Sequence, residues 1–162
     1  MPLLRAHGIV AALPDGFEGR IFRRRATAGE TSMPVAHFSS FPLPEEVADF
    51  GGGAVTRMGR DDVFAVLFEY GPESVGKALF ARRGMPRSLQ PGDFSTIQLR
   101  RGLSGHAGTQ QFFTEEGRPF TFYAVIGSHA RRHALVPKVN AVLSSIIVQP
   151  RLLLAPGDQR WN

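Results

Sequence analysis

A stretch with glycines and a lysine comes closest to a catalytic motif in this sequence. Gly71, Gly76 and Lys77 have the spacing of the phosphate-binding loop G-x-x-x-x-G-K-[ST], and they follow an apolar segment. That loop needs a Ser or Thr hydroxyl for Mg²⁺, and it is paired with an acidic residue that ends a second apolar strand. Ala78 replaces the hydroxyl, and the later apolar segment ends in glycine and serine. The pattern therefore does not predict a nucleotide site.

Two histidines have the spacing of metal ligands on a helix. His129 and His133 lie four positions apart, one helical turn, but a metal site needs at least a third ligand. Arg131 and Arg132 lie between them and would repel a cation. We therefore expect no metal site here, and a solvated helix start explains the pattern.

No other residue set predicts catalysis or a cofactor. The acidic pairs at 61–62 and 115–116 fall in predicted turns, whereas paired carboxylates catalyse only when they face each other across a cleft. The serines lack the G-x-S-x-G pattern of a nucleophile elbow. The chain has no cysteine, which excludes disulfides, thiolate catalysis and cysteine-based metal sites.

Arginine carries most of the positive charge. The net charge is +5 and only Lys77 and Lys138 are lysines. One interpretation is a surface for an acidic partner; the other is arginine-biased codon usage in a GC-rich genome, with the side chains spread over the surface. The residues that we predict to bind a partner are Arg118, His129, Arg131, Arg132, Arg23, Arg24 and Arg25. Nucleic acid is disfavoured because the basic runs lack interleaved aromatic residues.

Alternating and continuous apolar patterns predict the strands that must position these residues. Strands are predicted over residues 5–12, 17–25, 35–41, 63–70 and 94–99, and a hairpin joins 110–114 to 119–126. The segments 63–70 and 119–126 are apolar on both faces, which is typical of central strands. Helical signals predict one or two turns over 45–50, a helix from Pro72 to Arg83, and a last helix over 134–145. Pro137 requires that this helix either begins beside it or kinks there.

These elements predict an α+β protein, a mainly antiparallel sheet of six to seven strands flanked by helices as an α/β/α sandwich. We expect one domain over residues 1–148 and a tail over 149–162. The tail is apolar for a terminus and either folds back over a groove or docks on another chain. The residues that would dock are Leu152, Leu153, Leu154 and Trp161. No apolar run reaches the ~18 residues of a membrane span, and Arg5 and His7 interrupt a signal-like N-terminus, so we expect a cytoplasmic protein.

The order of signals resembles the PsbP-like α/β/α sandwich family over residues 5–148. The resemblance rests on the turn Leu13-Pro14-Asp15-Gly16-Phe17, the strand Gln110-Gln111-Phe112, the aromatic strand 120–126, and a last helix that ends in Ser-Ile-Ile-Val. The family includes an extrinsic photosystem subunit, a Ran-binding nuclear import factor, actinobacterial lipoproteins and chaperones for secreted effectors. It mostly binds proteins without a shared active site, so the resemblance implies no residue roles.

Three functions stay open at this point. The leading prediction is a non-enzymatic protein-binding module, an adaptor or chaperone-like factor, whose partner is another protein with an acidic surface or a second copy of the chain. The second is a ligand-binding protein or small enzyme with a pocket near residues 100–107, where Ser104, His106 and Arg118 supply polar groups. The third is a binder of nucleic acid or another anionic surface, whose affinity would fall steeply with salt.

Overall fold

Two antiparallel sheets and one α-helix enclose the core of this chain. The computed structural model describes residues 1–24, 32–45, 48–98 and 105–151. This part contains eight strands, one α-helix and five short 3₁₀ turns. The elements are β1 (Leu3–Ala6), β2 (Ile9–Ala12), β3 (Glu18–Arg23), β4 (Pro34–Ser39), β5 (Val63–Glu69), β6 (Ala107–Glu115), β7 (Arg118–Ile126), α1 (Arg132–Leu143) and β8 (Ile146–Val148).

The strands divide into a large and a small sheet. The large sheet has the order β3-β4-β5-β7-β6 and the small sheet the order β1-β2-β8, and all neighbours are antiparallel. The predicted α+β class with mainly antiparallel strands is confirmed. The sheet is smaller than predicted, because three strands form the second sheet, and the described part has a single α-helix beside it.

The centre of the large sheet is its most apolar part. Every residue of β5 and of β7 is buried, which confirms that both strands are covered on two faces. Side chains alternate between the faces of a strand. Phe122 and Ala124 therefore point to what we call the inner face, and Tyr123 and Val125 point to the outer face.

Different elements cover the two faces. On the inner face the core includes Leu135 and Val139 of α1 and Ile9 of the small sheet. On the outer face it includes Val55 and Met58, from a segment without long regular structure. The large sheet is thus the middle of three layers.

The last helix is longer than predicted at its N-terminus. Helix α1 begins at Arg132 and buries the predicted apolar stripe, which includes Leu135, Val139 and Val142. Pro137 lies inside the helix on its exposed side. The helix therefore does not begin at Pro137, although a proline there removes one backbone hydrogen bond.

Two predicted elements at the chain ends are different in the structure. The segment 5–12 is a hairpin rather than one strand, because His7 and Gly8 have positive φ angles of 52° and 73° and form its two-residue turn. Residues Ile146–Val148 form β8, which pairs with β2. The predicted tail residues 152–162 lie outside the described residues.

Three predicted elements in the middle of the chain are wrong. Residues 72–83 contain two 3₁₀ turns, Pro72–Ser74 and Ala78–Phe80, instead of a helix, and Gly76 between them has a φ of 86°. The segment 94–99 contains the 3₁₀ turn Thr96–Gln98 instead of a strand. Residues 48–50 are not helical, and 46–47 lie outside the described residues.

Candidate functional site

Charged residues gather at one end of the large sheet. The register places Arg23 of β3 opposite Pro34 of β4, and Glu69 of β5 opposite Phe120 of β7. Arg118 is the first residue of β7. Neighbouring antiparallel strands thus begin or end here, and their terminal charged residues meet beside the small sheet.

The centre of this cluster is a buried ion pair between Glu69 and Arg118. Glu69 is fully buried and Arg118 is 2% exposed. The Arg118 Nη2 atom lies 2.7 Å from Glu69 Oε1, and Nε lies 3.1 Å from Oε2. This two-point geometry matches the planar guanidinium to the carboxylate and is among the stronger hydrogen-bonding arrangements in proteins.

Arg118 also holds the small sheet against the large one. Its Nη1 donates to the carbonyl oxygens of Gly8 at 3.3 Å and Gln149 at 2.9 Å, and its Nη2 donates to that of His7 at 2.9 Å. With the two bonds to Glu69, this side chain makes five hydrogen bonds. A guanidinium has five N–H donors, so the donors of Arg118 are used within the protein.

A second arginine contacts the same carboxylate. Arg151 follows β8 and donates from Nη2 to Glu69 Oε2, and its side chain is one third exposed. The Glu69 carboxylate therefore lies between two guanidinium groups, one buried and one at the surface. One negative charge offsets only one of these two positive charges.

A small cavity of about 60 Å³ opens beside this cluster. Its described lining residues are His7, Arg23, Ser32, Met33, Pro34, Glu69, Arg118 and Arg151. Three guanidinium groups and one carboxylate thus surround the cavity, an excess of positive charge in a partly closed space. We call it the arginine pocket.

His7 adds a neutral acceptor to the arginine pocket. Its Nδ1 atom accepts a hydrogen bond from Arg23 Nε at 3.4 Å. Burial, followed by the charges of Arg23 and Arg118, lowers the pKa of His7 below its ordinary value. The imidazole is therefore neutral at pH 7, and an anion in the pocket would favour its protonated form.

The free groups of the arginine pocket are suited to binding an anion. The Ser32 hydroxyl donates to the carbonyl oxygen of Arg24 at 2.6 Å rather than to a base. Arg23 has no hydrogen bond in the described part besides the one to His7, so the rest of its guanidinium faces the pocket and solvent. Guanidinium groups bind carboxylate and phosphate in two-point geometry.

The predicted partner-binding arginines separate into two groups. Arg23 and Arg118 meet at the arginine pocket, where Arg23 is exposed and Arg118 is buried. Arg24 lies with its guanidinium carbon 4.8 Å from the centre of the Phe68 ring. Arg25 lies outside the described residues, as do the four predicted docking residues of the tail.

The second group is at the opposite end of the sheet. Arg131 Nε lies 2.6 Å from Asp61 Oδ1, and both side chains are about half exposed. Arg132 donates to the carbonyl oxygen of His129 at 3.0 Å, just where α1 begins. The basic residues therefore do not form one patch.

The predicted pocket near residues 100–107 is not assembled as expected. His106 precedes β6, whereas Arg118 pairs with Glu115 at the far end of that strand. Nine residues of strand, about 30 Å, separate the two side chains. Ser104 lies outside the described residues. No group of three or more metal-binding side chains occurs in the described ranges.

Sequence reasoning did not find Glu69, His7 and Arg151. A signal for Glu69 was present, because a carboxylate that ends a strand of seven buried residues needs a charged partner. His7 and Arg151 carry no such signal, since only the pairing of β1, β2 and β8 brings them to this end of the large sheet.

Comparison with known proteins gives no relative for this chain. No family model matches the sequence, and neither the curated proteins nor the solved structures contain a significant match. Among the described residues, no helix has the length and apolar character to cross a membrane. The arginine pocket is therefore the feature of this protein that points to a function.

Proposed function

We propose that this protein is a non-enzymatic binding module that takes a carboxylate of an acidic partner protein into the arginine pocket. The observation that carries the proposal is the excess of guanidinium groups over carboxylates around the cavity. Arg118 and Glu69 form its rigid floor, and Arg23 is the exposed cation at its rim. A carboxylate there would make charge-assisted hydrogen bonds, which are stronger than neutral ones.

The size of the pocket favours a single acidic group. A cavity of about 60 Å³ holds a group the size of a few water molecules. A nucleic acid would instead need a continuous basic track for its phosphates, and the arginines divide between two ends of the sheet. This division also agrees with the chemistry of a protein partner that presents one or two acidic side chains.

The fold and location remain parts of the same proposal. The large sheet between two covering layers is compatible with a PsbP-like α/β/α sandwich, although turns take the place of helices on the outer face. Members of that family mostly bind proteins. A cytoplasmic location also stays a prediction.

Binding of a glutamate-rich peptide, followed by fluorescence anisotropy, tests the proposal. Arg23→Gln should weaken binding about tenfold, since a hydrogen bond to a charged group contributes ~1.5–3 kcal/mol. Arg57→Gln is the matched control, because Arg57 is an exposed arginine on the segment that covers the outer face. Equal loss in both variants, or no binding of the peptide by the native protein, would overturn the proposal.

A second arm separates the partner classes. Heparin should bind weakly, and Arg23→Gln and Arg57→Gln should reduce its binding equally, because both remove one charge from the surface. Heparin binding that is tighter than peptide binding, with a steep dependence on salt, would favour the nucleic-acid alternative over the acidic protein.

A further inference from the structure

The two edge strands of the large sheet differ in whether other segments of the described chain cover them. An edge strand presents unpaired backbone N–H and C=O groups, which can pair with another chain unless the protein protects them. The order of strands makes β3 and β6 the two edges. Only one of them is protected by the described chain.

The β6 edge is closed by the chain itself at both ends. Gly108 exchanges two backbone hydrogen bonds with Ser95, each 2.9 Å long. Thr114 donates to the carbonyl oxygen of Arg82 and accepts from the N–H of Gly84, both at 2.8 Å. A strand from another molecule that approached β6 would collide with these two segments.

Along the β3 edge, on the side away from β4, no described residue pairs with the strand. Arg24 N–H donates to the Met33 carbonyl oxygen at 3.1 Å, so the residues of β3 with even numbers bond to β4. The residues with odd numbers, Gly19, Ile21 and Arg23, then direct their backbone groups outward. No described residue makes a hydrogen bond to these groups.

We propose that β3 pairs with β3 of a second copy of this chain and joins two large sheets across a two-fold axis. The axis passes beside Ile21, so Ile21 faces its equivalent and Gly19 faces Arg23 of the second copy. The three outward residues of each copy would exchange six backbone hydrogen bonds. The inference is independent of the arginine pocket and of its ligand.

The charges along β3 select this register. With the axis at Ile21, Glu18 faces Arg24 of the second copy, and this pair occurs twice. A shift of the axis by one residue places Arg20 opposite Arg20 or Arg20 opposite Arg24, and like charges opposite each other destabilise a sheet. The register with opposite charges is also the one that overlaps the whole strand.

Both side chains of this charge pair contact their own chain in the single copy. Glu18 is exposed and accepts a hydrogen bond from Leu43 N–H at 3.0 Å. The Arg24 Nε atom is buried and has no hydrogen-bond partner among the described residues. The Arg24 guanidinium lies over the Phe68 ring of β5, two strands inside the edge, so the pair forms when this side chain turns outward towards Glu18 of the second copy.

The arrangement closes at two copies. A pair of chains that join through β3 uses the open edge of each large sheet, and the remaining edges of these large sheets are the two β6 strands, which their own chains protect. We therefore expect a dimer and no larger assembly. Analytical ultracentrifugation of the full chain should give twice the 17.7 kDa mass of one chain; a monomer at all concentrations, or an open-ended series, overturns the proposal.

A cysteine cross-link tests the register, because the native chain has no cysteine. Residues in a hydrogen-bonded antiparallel pair have Cα atoms about 5.5 Å apart, within the ~4.4–6.8 Å that a disulfide needs. Under mild oxidation Ile21→Cys should form a covalent dimer at least about tenfold faster than Ile97→Cys, since pairing raises the effective concentration. Ile97 is 90% exposed and away from β3. If cross-links formed only by random collision, Ile97→Cys would therefore cross-link faster than Ile21→Cys.

Charge reversal supplies a second readout that does not depend on the cysteine variant. Glu18→Arg and Arg24→Glu should each weaken the dimer about tenfold or more, because like charges would then face each other. The double variant with both changes should restore it. Equal cross-linking of Ile21→Cys and Ile97→Cys, or no rescue in the double variant, would refute pairing in this register.

Discussion

His37 is the clearest case of a residue whose surroundings decide its charge. It is fully buried on the outer face, where its imidazole ring contacts the aromatic rings of Phe22 and Phe64. Its Nε2 lies 2.9 Å from the Asp49 carbonyl oxygen, which only accepts, so Nε2 carries the proton. Nδ1 has no hydrogen-bond partner among the described residues, so a second proton there would be buried without an acceptor.

This environment predicts a pH-dependent stability. Burial lowers the pKa of His37 from 6.5 to about 4. The folded state favours the neutral form of His37. The contribution of His37 to the free energy of unfolding is therefore complete above pH 6.5 and is lost as the pH falls from 6.5 towards 4. The loss amounts to about 3 kcal/mol at most.

Urea unfolding at pH 7 and at pH 4.5 measures this effect. His37→Leu cannot titrate at this position, so the change in unfolding free energy between the two pH values should be smaller than in the native chain. Carboxylates that titrate in the same range contribute equally to both proteins and cancel in the difference. An identical pH dependence in the two proteins would contradict the assignment.

Glu69 and Arg118 act as one unit. Arg118→Met would leave the buried Glu69 carboxylate with only the partly exposed Arg151 as its cation, so it should destabilise the protein by about 3 kcal/mol, the lower end of the range for a broken buried ion pair. Glu69→Gln in the Arg118→Met background removes the carboxylate charge that has lost its buried partner. The double variant should therefore lose less free energy of unfolding than the sum of the two single variants. Strictly additive losses in a urea double-mutant cycle would show that the two residues are not coupled.

At the scale of elements, glycines mark where two segments come close. A Cβ atom at Gly127, which follows β7, would lie 1.9 Å from the carbonyl oxygen of Gly59. A methyl group at Gly127 therefore has to push the backbone at residue 59 away. Gly92 offers a matched position, because no atom lies within 4 Å of a Cβ built there.

We expect Gly127→Ala to destabilise the protein by about 1–3 kcal/mol, as overpacking does, and Gly92→Ala to change stability by less than about 0.5 kcal/mol. Thermal unfolding of the two variants measures the contrast. Similar melting temperatures for both would mean that the segment at residue 59 moves freely away from β7.

The sequence predicts the elements that are strongly patterned and misses those that depend on pairing. The segments 63–70 and 119–126 are recognisable because burial on two faces requires apolar residues throughout. The helix predicted from Pro72 fails because Gly76 adopts a left-handed conformation in the middle of an otherwise helical pattern. The hairpin at His7 and Gly8 was missed because residues other than glycine seldom adopt a positive φ, as His7 does here.

The candidate site was predictable only in part. Arg23 and Arg118 were chosen for their charge, yet the same criterion also chose Arg131 and Arg132 at the far end of the sheet. Strand order decides which arginines meet, and a single sequence does not reveal that order. For this reason Glu69, the carboxylate that organises the pocket, was not recognised.

At the scale of the whole molecule, Arg118 makes more hydrogen bonds between the two sheets than any other described side chain. Arg118 belongs to the large sheet, and three of its hydrogen bonds go to carbonyl oxygens next to the small sheet. Two further polar contacts, Arg23 with His7 and Arg151 with Glu69, also join the sheets, together with apolar packing that includes Ile9 and Ile146. Loss of Arg118 should therefore loosen the small sheet before the large sheet opens.

Hydrogen exchange tests this coupling. In Arg118→Met, the amides of β2 and β8 should exchange about tenfold faster or more relative to those of β5 and β7, because breaking these carbonyl contacts lowers the free energy of local opening. Gln111→Met is the control, since Gln111 lies on β6 and, among the described residues, its side chain hydrogen-bonds only to Thr109 of the same strand and to Arg82. If the amide exchange rates of all strands in Arg118→Met rise by the same factor, the protein opens globally. The two sheets would then form a single cooperative unit that does not depend on Arg118.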